Sequence, residues 1–358
     1  MNNKYKIGIT CKDSSRIFSN GLSQNAYFLI KLLCNIGYDA VAVSQLDEAG
    51  KYLEDLEIKK LSADTIRDYD IIIEVCYSVT DGLFDLASKL GIKIVTINYG
   101  NILMLIQQDL IMKSNSMPSV NRQCAATWIS PHFEFSKGFI EATAKNKVSI
   151  CPYIWDPIIL DKYCNKNNLN PHYSDNSNLN KVGIFEPNIN IIKTCIYPII
   201  SLERLERENP AILGDILVFN TESLKDNPKF KEILHNFDIF KNKKISVESR
   251  YPLSVILSRK YIGTVLSHQF YCDLNYLTLE CLYTSNPIVH NSEACKDGGY
   301  FYKTFDTEDC INKLKYAINH HHDNLKIYKK SSAEILYKFS INNNQNTKKY
   351  KDLIENIG

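Results

Sequence analysis

Residues 267–291 read SHQFYCDLNYLTLECLYTSNPIVHN, and this stretch decides the fold. It predicts a strand end, a polar loop, a short helix that carries Glu280, a turn of small residues, and a strand beginning at Pro287. In open α/β sheets, phosphorylated ligands bind where such a loop runs into a helix, because the backbone N–H groups and the helix dipole favour anions. The stretch therefore predicts an α/β protein with a ligand-binding loop before Glu280.

The composition limits the class of protein. A chain of 358 residues is long enough for two domains, each of about 150–200 residues. Hydrophobic residues make up 44% and charged residues 23%, which is typical of a water-soluble globular protein. A net charge of +2 gives no strong field that would select nucleic acid. We expect no nucleic-acid partner.

Cysteines and histidines give no metal or disulfide signal. The eleven cysteines include no CxxC pair, so we interpret them as small buried hydrophobes in a reducing compartment. The run His320–His322 follows a helical segment without partnering ligands, and we interpret it as a solvated helix end. No run reaches the roughly 18 apolar residues of a membrane span, and the N-terminus lacks a signal pattern. We expect a cytoplasmic protein without a transmembrane segment.

Strand and helix patterns alternate through both halves of the chain. Valine- and isoleucine-rich strands such as 69–75 and 92–97 lie between amphipathic helices, which predicts parallel sheets covered on both faces. The Asn-rich segment 165–180 interrupts this pattern, and closing helices are predicted to begin at Thr307 and at Lys329. The predicted parts are an N-terminal Rossmann-like domain (1–155), a linker (156–180), a second Rossmann-like domain (181–330) and C-terminal helices (331–358).

The order of polar loop, Glu280 helix, turn and Pro-aliphatic strand resembles the donor-sugar motif of GT-B glycosyltransferases, in the style of family 4. Together with GIFEPN at 183–188 and CPYIWDP at 151–157, it also resembles an uncharacterised GT-B-like family found in bacteria and large DNA viruses. The resemblance implies two Rossmann-like domains whose parallel sheets face a central cleft. The first domain would then bind the acceptor and the second the nucleotide-sugar donor, with the C-terminal helices packing back toward the first domain.

The resemblance assigns the donor-binding residues. Glu280 matches the second of two glutamates spaced eight positions apart, which hydrogen-bonds the ribose of the nucleotide. The first of these positions holds Cys272, so the role of binding the donor sugar falls to Asp273, His268 or Gln269. Asn188 and Asn275 complete the predicted donor-binding set.

Two cations are candidates for stabilising the leaving diphosphate. GT-B enzymes of this style carry a basic pair near the start of the second domain, where this chain has Lys193 but Glu186 and Pro187 in place of the usual arginine. Arg250 is the second candidate because a guanidinium matches two phosphate oxygens at once. Its alternative role is a surface ion pair with Glu248. We predict Lys193, Arg250 and His268 as the catalytic residues.

Polar residues that follow strands of the first half are candidates for the cleft and the acceptor site. Asn20 and Gly21 end the first strand-to-helix loop, where a glycine would let the backbone approach a ligand. Asn101 and His132 each follow a later strand. Neither GxGxxG nor a P-loop motif occurs, which argues against dinucleotide binding and P-loop chemistry.

The reaction implied by the resemblance is transfer of a sugar, of the hexosyl type, from a nucleotide-sugar to a hydroxyl acceptor. Family-4-like members retain the anomeric configuration. GT-B enzymes generally act without a bound metal, and no DxD motif lies in a suitable loop, so we expect no metal and no cofactor. Two alternatives stay open: a GT-B-fold sugar-nucleotide epimerase, and a catalytically degenerate scaffold that binds a nucleotide or glycan.

Overall fold

A computed structural model of the protein describes residues 5–18, 21–113, 122–144, 146–273 and 275–357. The chain forms two compact units. The first combines Met1–Ile159 with Tyr337–Gly358, and the second is Leu160–Leu336. Each unit contains its own parallel sheet, which confirms the predicted α/β class.

The sheet of the first unit is parallel throughout. The strands of this unit are β1 (Lys6–Thr10), β2 (Asp39–Ser44), β3 (Tyr52–Leu53), β4 (Leu56–Glu57), β5 (Lys59–Lys60), β6 (Ile71–Glu74), β7 (Lys93–Asn98), β8 (Ala126–Ile129) and β9 (Val148–Ile150). In the described part of the chain, seven of them form the order β5-β2-β1-β6-β7-β8-β9, while β3 and β4 form a small antiparallel pair. The direction of the strand order reverses between β1 and β6, which makes this a switch point of the sheet.

Burial explains why these segments are strands. All four residues of β6 are buried, as the continuous isoleucine run predicted for a strand covered on both faces. At Gly8 in β1, a Cβ atom would lie 2.8 Å from Cδ1 of Ile72, so the small residue permits close packing. Gly91 follows the second helix with φ +75°, the left-handed conformation expected after a helix end.

The helices mostly match the predicted segments. In chain order they are α1 (Gly21–Asn35), α2 (Asp81–Lys89), α3 (Ile102–Met112), α4 (Lys137–Ala144), α5 (Ile158–Lys166), α6 (Ile196–Glu208), α7 (Pro228–His235), α8 (Asp238–Lys241), α9 (Leu253–Ser258), α10 (Tyr276–Tyr283), α11 (Thr307–Phe339) and α12 (Asn344–Glu355). A 3-10 segment, Pro131–Ser136, precedes α4, and its first residue is a proline, which is favoured at the first position of a helix.

The second unit repeats the architecture with a smaller parallel sheet. Its strands are β10 (Val182–Ile184), β11 (Ile216–Val218), β12 (Ile245–Val247), β13 (Thr264–Leu266), β14 (Ile288–His290) and β15 (Tyr300–Phe301). The order of these described strands is β12-β11-β10-β13-β14-β15, so the switch point lies between the neighbours β10 and β13. The residues that follow β10 and β13 therefore lie at the same edge of this sheet.

The segment predicted as a linker, 156–180, is structured. It contains α5, and the residues after it pack on the second unit. Asn286 donates to the carbonyl of Pro171 at 2.7 Å, and Thr264 donates to the carbonyl of Leu179 at 2.7 Å. A Cβ on Gly263 would overlap the Asn178 carbonyl, so β13 begins directly against this segment. Within the segment, Asn167 donates to the Tyr163 carbonyl at 2.8 Å, and Asn170 accepts from the backbone N–H of His172 at 3.2 Å.

The prediction of a separate helix starting at Lys329 is wrong, because α11 is continuous over 33 residues and ends only at Phe339. The interpretation of His320–His322 as a solvated helix end is wrong for the same reason. His321 lies in the middle of α11, is fully buried, and bonds the Tyr300 hydroxyl at 2.8 Å and the Ser285 carbonyl at 3.0 Å. Buried positions of α11 recur every three or four residues along one face of the helix, so one histidine of the run is inside while its neighbours are not.

The C-terminal residues after α11 belong to the first unit. Tyr350 of α12 is fully buried, lies 6.3 Å from the ring of Trp128, and donates its hydroxyl to the Pro152 carbonyl at 2.7 Å. The first unit is therefore completed by chain ends far apart in sequence. Among the described residues, no helix is long and apolar enough to cross a bilayer.

Candidate functional site

The candidate site lies in the second unit, at the edge where β10 and β13 end. The loop after β10 covers residues 185–195, and the loop after β13 covers 267–275 with residue 274 outside the described part. The two strands are neighbours at the switch point of their sheet. In open α/β folds this is the position at which ligands bind.

Glu186 joins the two loops. Its carboxylate is fully buried, and Oε1 accepts hydrogen bonds from Ser267 Oγ at 2.7 Å and from the backbone N–H of His268 at 3.0 Å. The side chain of Gln269 donates to Oε2. Burial raises the pKa of Glu186 to about 7, and these hydrogen bonds oppose the rise. Sequence reasoning treated Glu186 only as a departure from the expected arginine and missed this structural role.

His268 is held as one tautomer. The Tyr302 hydroxyl donates its single proton to the Ser267 carbonyl at 2.9 Å, so its 2.9 Å bond to His268 Nδ1 requires the ring nitrogen to be the donor. Nε2 is then an acceptor, and it is buried without a hydrogen-bond partner among the described residues. Burial lowers the pKa of His268 to about 4, which keeps the ring neutral at physiological pH.

Aromatic rings and a second polar pair fix the histidine loop. Tyr197 lies 4.0 Å and Phe305 4.8 Å from the His268 ring, measured between ring centroids. Gln269 and Asn291 bond each other twice, since Gln269 N–H donates to Asn291 Oδ1 at 2.8 Å and Asn291 Nδ2 donates to the Gln269 carbonyl at 2.7 Å. Gln269 Oε1 is buried with no partner in the described part of the chain. The loop thus presents two unused acceptors.

Glu280 lies on α10, where only 8% of the residue is exposed. No described residue donates a hydrogen bond to its carboxylate, and burial raises its pKa to about 8. Asn275 caps the same helix, its Oδ1 accepting from Leu277 N–H at 3.3 Å. Asp273 lies in the loop before α10, and burial together with the charge of Glu293 raises its pKa to about 6.

Lys193 lies beside this cluster, whereas Arg250 follows β12, the strand at one end of the sheet. Burial raises the pKa values of Glu186 and Cys272, and the charge of Lys193 opposes the rise at both, so its ammonium group lies near both. Two strands of the sheet separate β12 from β13. The backbone N–H of Arg250 donates to Glu222 at 2.6 Å, and burial lowers the pKa of its guanidinium. The alternative ion pair partner Glu248 instead accepts from Ser246 at 2.9 Å.

Asn188 supports the loop after β10 from inside. Its Nδ2 donates to the carbonyls of Glu186 and Asn220, both at 3.0 Å, and its Oδ1 accepts from Cys195 N–H at 2.8 Å. The residue has φ +54°, a left-handed conformation that asparagine tolerates better than most residues. The amide is therefore engaged within the loop.

The residues predicted for the acceptor side belong to the first unit. Asn20 falls outside the described residues, and Gly21 is the first residue of α1. Asn101 is fully buried and caps α3, with Oδ1 accepting from Met104 N–H at 3.1 Å. His132 packs edge-on against Tyr153, with 5.5 Å between ring centroids.

Two parallel-sheet units in one chain are the architecture of GT-B-fold proteins, and solved structures confirm this fold. A glycosyltransferase from Rickettsia africae aligns with a TM-score of 0.60 at 15% identity, covering 99% of this chain and 100% of that one. The Anabaena protein HepE, solved with UDP-glucose, gives 0.56 at 12%, covering 98% and 100%. Sucrose-phosphate synthase from Thermosynechococcus elongatus gives 0.56 at 9%, covering 98% and 100%.

The sequence itself assigns the chain to one family. Residues 7–354 match the family model described as "Protein of unknown function (DUF2827)", and the chain belongs to that family. No curated protein matches the sequence.

Proposed function

We propose that the protein is a glycosyltransferase that moves a sugar from a nucleotide-sugar to a hydroxyl acceptor, with retention and without a metal. The observation that carries the proposal is a set of buried acceptors in the second unit to which no described residue donates a hydrogen bond. These are His268 Nε2, Gln269 Oε1 and the Glu280 carboxylate. Buried acceptors of this kind are costly unless a ligand supplies donors, and a ribose and a hexose each supply several hydroxyl groups.

Each candidate residue then has a distinct role. Glu280 accepts hydrogen bonds from the ribose hydroxyls, as the resemblance implies. His268 accepts through Nε2 from a hydroxyl of the donor sugar, and Gln269 accepts through Oε1. Asp273 lies on the same loop and is available to the sugar, while Asn275 sets the start of the helix that carries Glu280.

Electrostatic stabilisation of the leaving diphosphate is the proposed source of most of the rate. Lys193 supplies a positive charge at the edge of the His268 loop. Arg250 is the second proposed cation, and its partly desolvated guanidinium can bind two phosphate oxygens. Fixed cations placed where charge develops stabilise the transition state without reorganising.

The choice of donor is guided by the structural relatives. One of them was solved with UDP-glucose, which makes a UDP-hexose the first donor to test and supports a hexosyl transfer. Nothing in the described residues favours the epimerase alternative. The degenerate scaffold has one observation in its favour: Cys272, not a glutamate, occupies the first position of the paired motif.

The decisive experiment measures UDP and UDP-glucose binding by calorimetry and, in the same samples, UDP release with and without a panel of sugar acceptors. A ligand at 100 times its dissociation constant stabilises the protein by about 2.7 kcal/mol, so a thermal shift provides a second reading. Glu280→Ala is expected to weaken UDP binding by roughly tenfold or more, since hydrogen bonds to a buried carboxyl group are lost. Glu334→Ala, an exposed acid in the same unit, is the matched control.

Each outcome has a defined meaning. Acceptor-dependent UDP release that falls in the Glu280 variant supports the proposal. UDP binding without release from any UDP-sugar would identify a binding scaffold. Absence of binding by every nucleoside diphosphate and its sugar conjugates would reject the donor site.

A further inference from the structure

A cavity of about 410 Å³ lies in the first unit, at the carboxyl ends of β6 and β7. This volume is within the roughly 300–1,000 Å³ of small-molecule sites. The cavity adjoins the switch point of the seven-stranded sheet, which is the expected ligand position in an open α/β sheet. Neither the predicted site residues nor the proposed donor site uses it.

One wall of the cavity holds a buried acid whose acceptors are already satisfied. Glu74 is 2% exposed, and Oε1 accepts from the backbone N–H of Val79 at 2.8 Å and from Nη1 of Arg122 at 3.2 Å. Its Oε2 accepts from Thr96 Oγ1 at 2.6 Å. Glu74 therefore needs nothing from a ligand.

Arg122 is different, because only its Nη1 atom makes hydrogen bonds to the described residues. Nη1 donates to Glu74 and, at 2.8 Å, to the Val79 carbonyl, and the guanidinium lies 4.2 Å from the centroid of the Phe84 ring. Nε and Nη2 are buried without hydrogen-bond partners among the described residues. A second acid, Asp81, is almost fully exposed, and its Oδ1 lies 3.9 Å from Nε, too far for a hydrogen bond.

The unused edge of Arg122 has a specific shape. The Nε–H and Nη2–H bonds of a guanidinium point in parallel and match two oxygens of a carboxylate or phosphate. The ring stacking and the Nη1 bonds hold the plane in place, so this edge is preorganised. The remaining cavity lining supplies apolar contact from Ile102, Leu105 and Ile140 and a hydroxyl from Thr127.

We propose that this cavity binds a small molecule carrying an oxyanion, carboxylate or phosphate, through the Nε and Nη2 edge of Arg122. The apolar and hydroxyl lining suits the ring or chain that bears the oxyanion. The proposed function would make this molecule the sugar acceptor, and the acceptor would then be an acid. This identification rests on the proposed function. The binding site itself does not depend on that assignment.

Saturation-transfer NMR on the full chain tests the site with two matched pairs of probes: glucuronate against glucose, and glycerol 3-phosphate against glycerol. We expect an acidic probe to bind at least tenfold more tightly than its neutral partner. The glucuronate pair reports a carboxylate source and the glycerol 3-phosphate pair a phosphate source. Equal binding of acidic and neutral probes, or no binding by either acid, would overturn the proposal.

Two variants locate the binding. Arg122→Lys keeps a cation for Glu74 but removes the paired N–H groups, and we expect roughly a tenfold loss of affinity for the acidic probe. Leu105→Trp fills the cavity from its apolar wall, leaves the Glu74–Arg122 pair intact, and should abolish binding. Arg67→Lys, at an exposed arginine of the same unit, is the matched control. Unchanged affinity in both test variants would place the probe elsewhere and reject the site.

The result can be separated from that of the donor site. UDP binding is measured on the same samples and belongs to the second unit. If the native protein binds UDP but neither acidic probe, the result counts against this cavity alone. Acidic-probe binding without UDP binding counts against the proposed function alone.

Discussion

His268 is a histidine whose protonation state is set by its neighbours. The Tyr302 hydroxyl fixes a proton on Nδ1, and burial disfavours a second proton on Nε2. A neutral ring with a free acceptor suits a hydroxyl ligand, whereas an imidazolium would offer only donors.

The first prediction concerns this tautomer. ¹⁵N NMR of the protein should show one histidine that keeps the Nδ1-protonated form from pH 5.5 to 8, because its pKa of about 4 lies below that window. Loss of this signal in His268→Gln provides the assignment. A His268 ring that titrates between pH 6 and 7 would contradict the buried, Tyr302-bonded arrangement.

The second prediction concerns stability and Glu280. Its folded pKa of about 8 lies above the ordinary 4.5, so between these values the folded state holds a proton that the unfolded state has released. Stability conferred by this group is therefore lost as pH rises, by up to about 1.4 kcal/mol per pH unit. Glu280→Gln has no such titrating group. Its free energy of unfolding relative to that of the native protein should therefore rise by about 2–3 kcal/mol as the pH increases from 5.5 to 7.5.

Urea unfolding followed by circular dichroism at the two pH values measures this difference. Glu334→Gln, an exposed acid of the same unit, should show no pH-dependent gain. A gap between Glu280→Gln and the native protein that stays constant with pH would mean that Glu280 is ionised in the folded state.

At the scale of elements, the loop after β10 depends on one asparagine. Asn188 bridges Glu186, Asn220 and the start of α6 while holding a left-handed backbone. This loop carries Glu186, whose carboxylate in turn holds the backbone of the His268 loop. The loop after β10 therefore contains both a strained backbone position and the side-chain hydrogen bonds that hold it, next to the loop after β13.

The third prediction separates these two contributions. Asn188→Gly keeps the left-handed conformation and loses the hydrogen bonds, so it should cost about 1–2 kcal/mol of unfolding free energy. Asn188→Ala adds the steric cost of that conformation and should cost about 1–2 kcal/mol more. Urea unfolding measures both. If both variants lose the same free energy of unfolding, the left-handed conformation at residue 188 has no effect on stability.

At the scale of the whole molecule, the first unit is assembled from both ends of the chain. Tyr350 packs near Trp128 and bonds the carbonyl of Pro152, a residue 198 positions earlier. Both tryptophans of the protein, Trp128 and Trp155, belong to this unit. Tryptophan fluorescence therefore reports on the first unit alone.

The fourth prediction uses that signal. Tyr350→Ala removes a fully buried ring and a buried hydrogen bond. It should lower the free energy of unfolding, measured by tryptophan fluorescence, by about 3–5 kcal/mol. Tyr337→Ala, at a tyrosine that is 59% exposed, is the control. A similar decrease in the free energy of unfolding in both variants would contradict the role of α12 in completing the first unit.

Much of the architecture was predictable from sequence. The strands predicted over 69–75 and 92–97 and from Pro287 correspond to β6, β7 and β14. Errors occur where a pattern allows two outcomes. The polar run before β10 reads as a linker although it packs on the second unit, and a histidine run reads as exposed although one ring is inside.

The sequence by itself determined the α/β class, the order of the elements and the helix that carries Glu280, because periodicity and turn residues act between positions a few residues apart. Only the tertiary structure decided that Glu186 bonds Ser267 and the His268 backbone across more than 80 positions, and that Tyr302 selects the tautomer of His268. It likewise decided that Arg122 meets Glu74 beside a cavity. These interactions join residues brought together by parallel strands that are neighbours in the sheet but distant in the chain, so no local pattern records them.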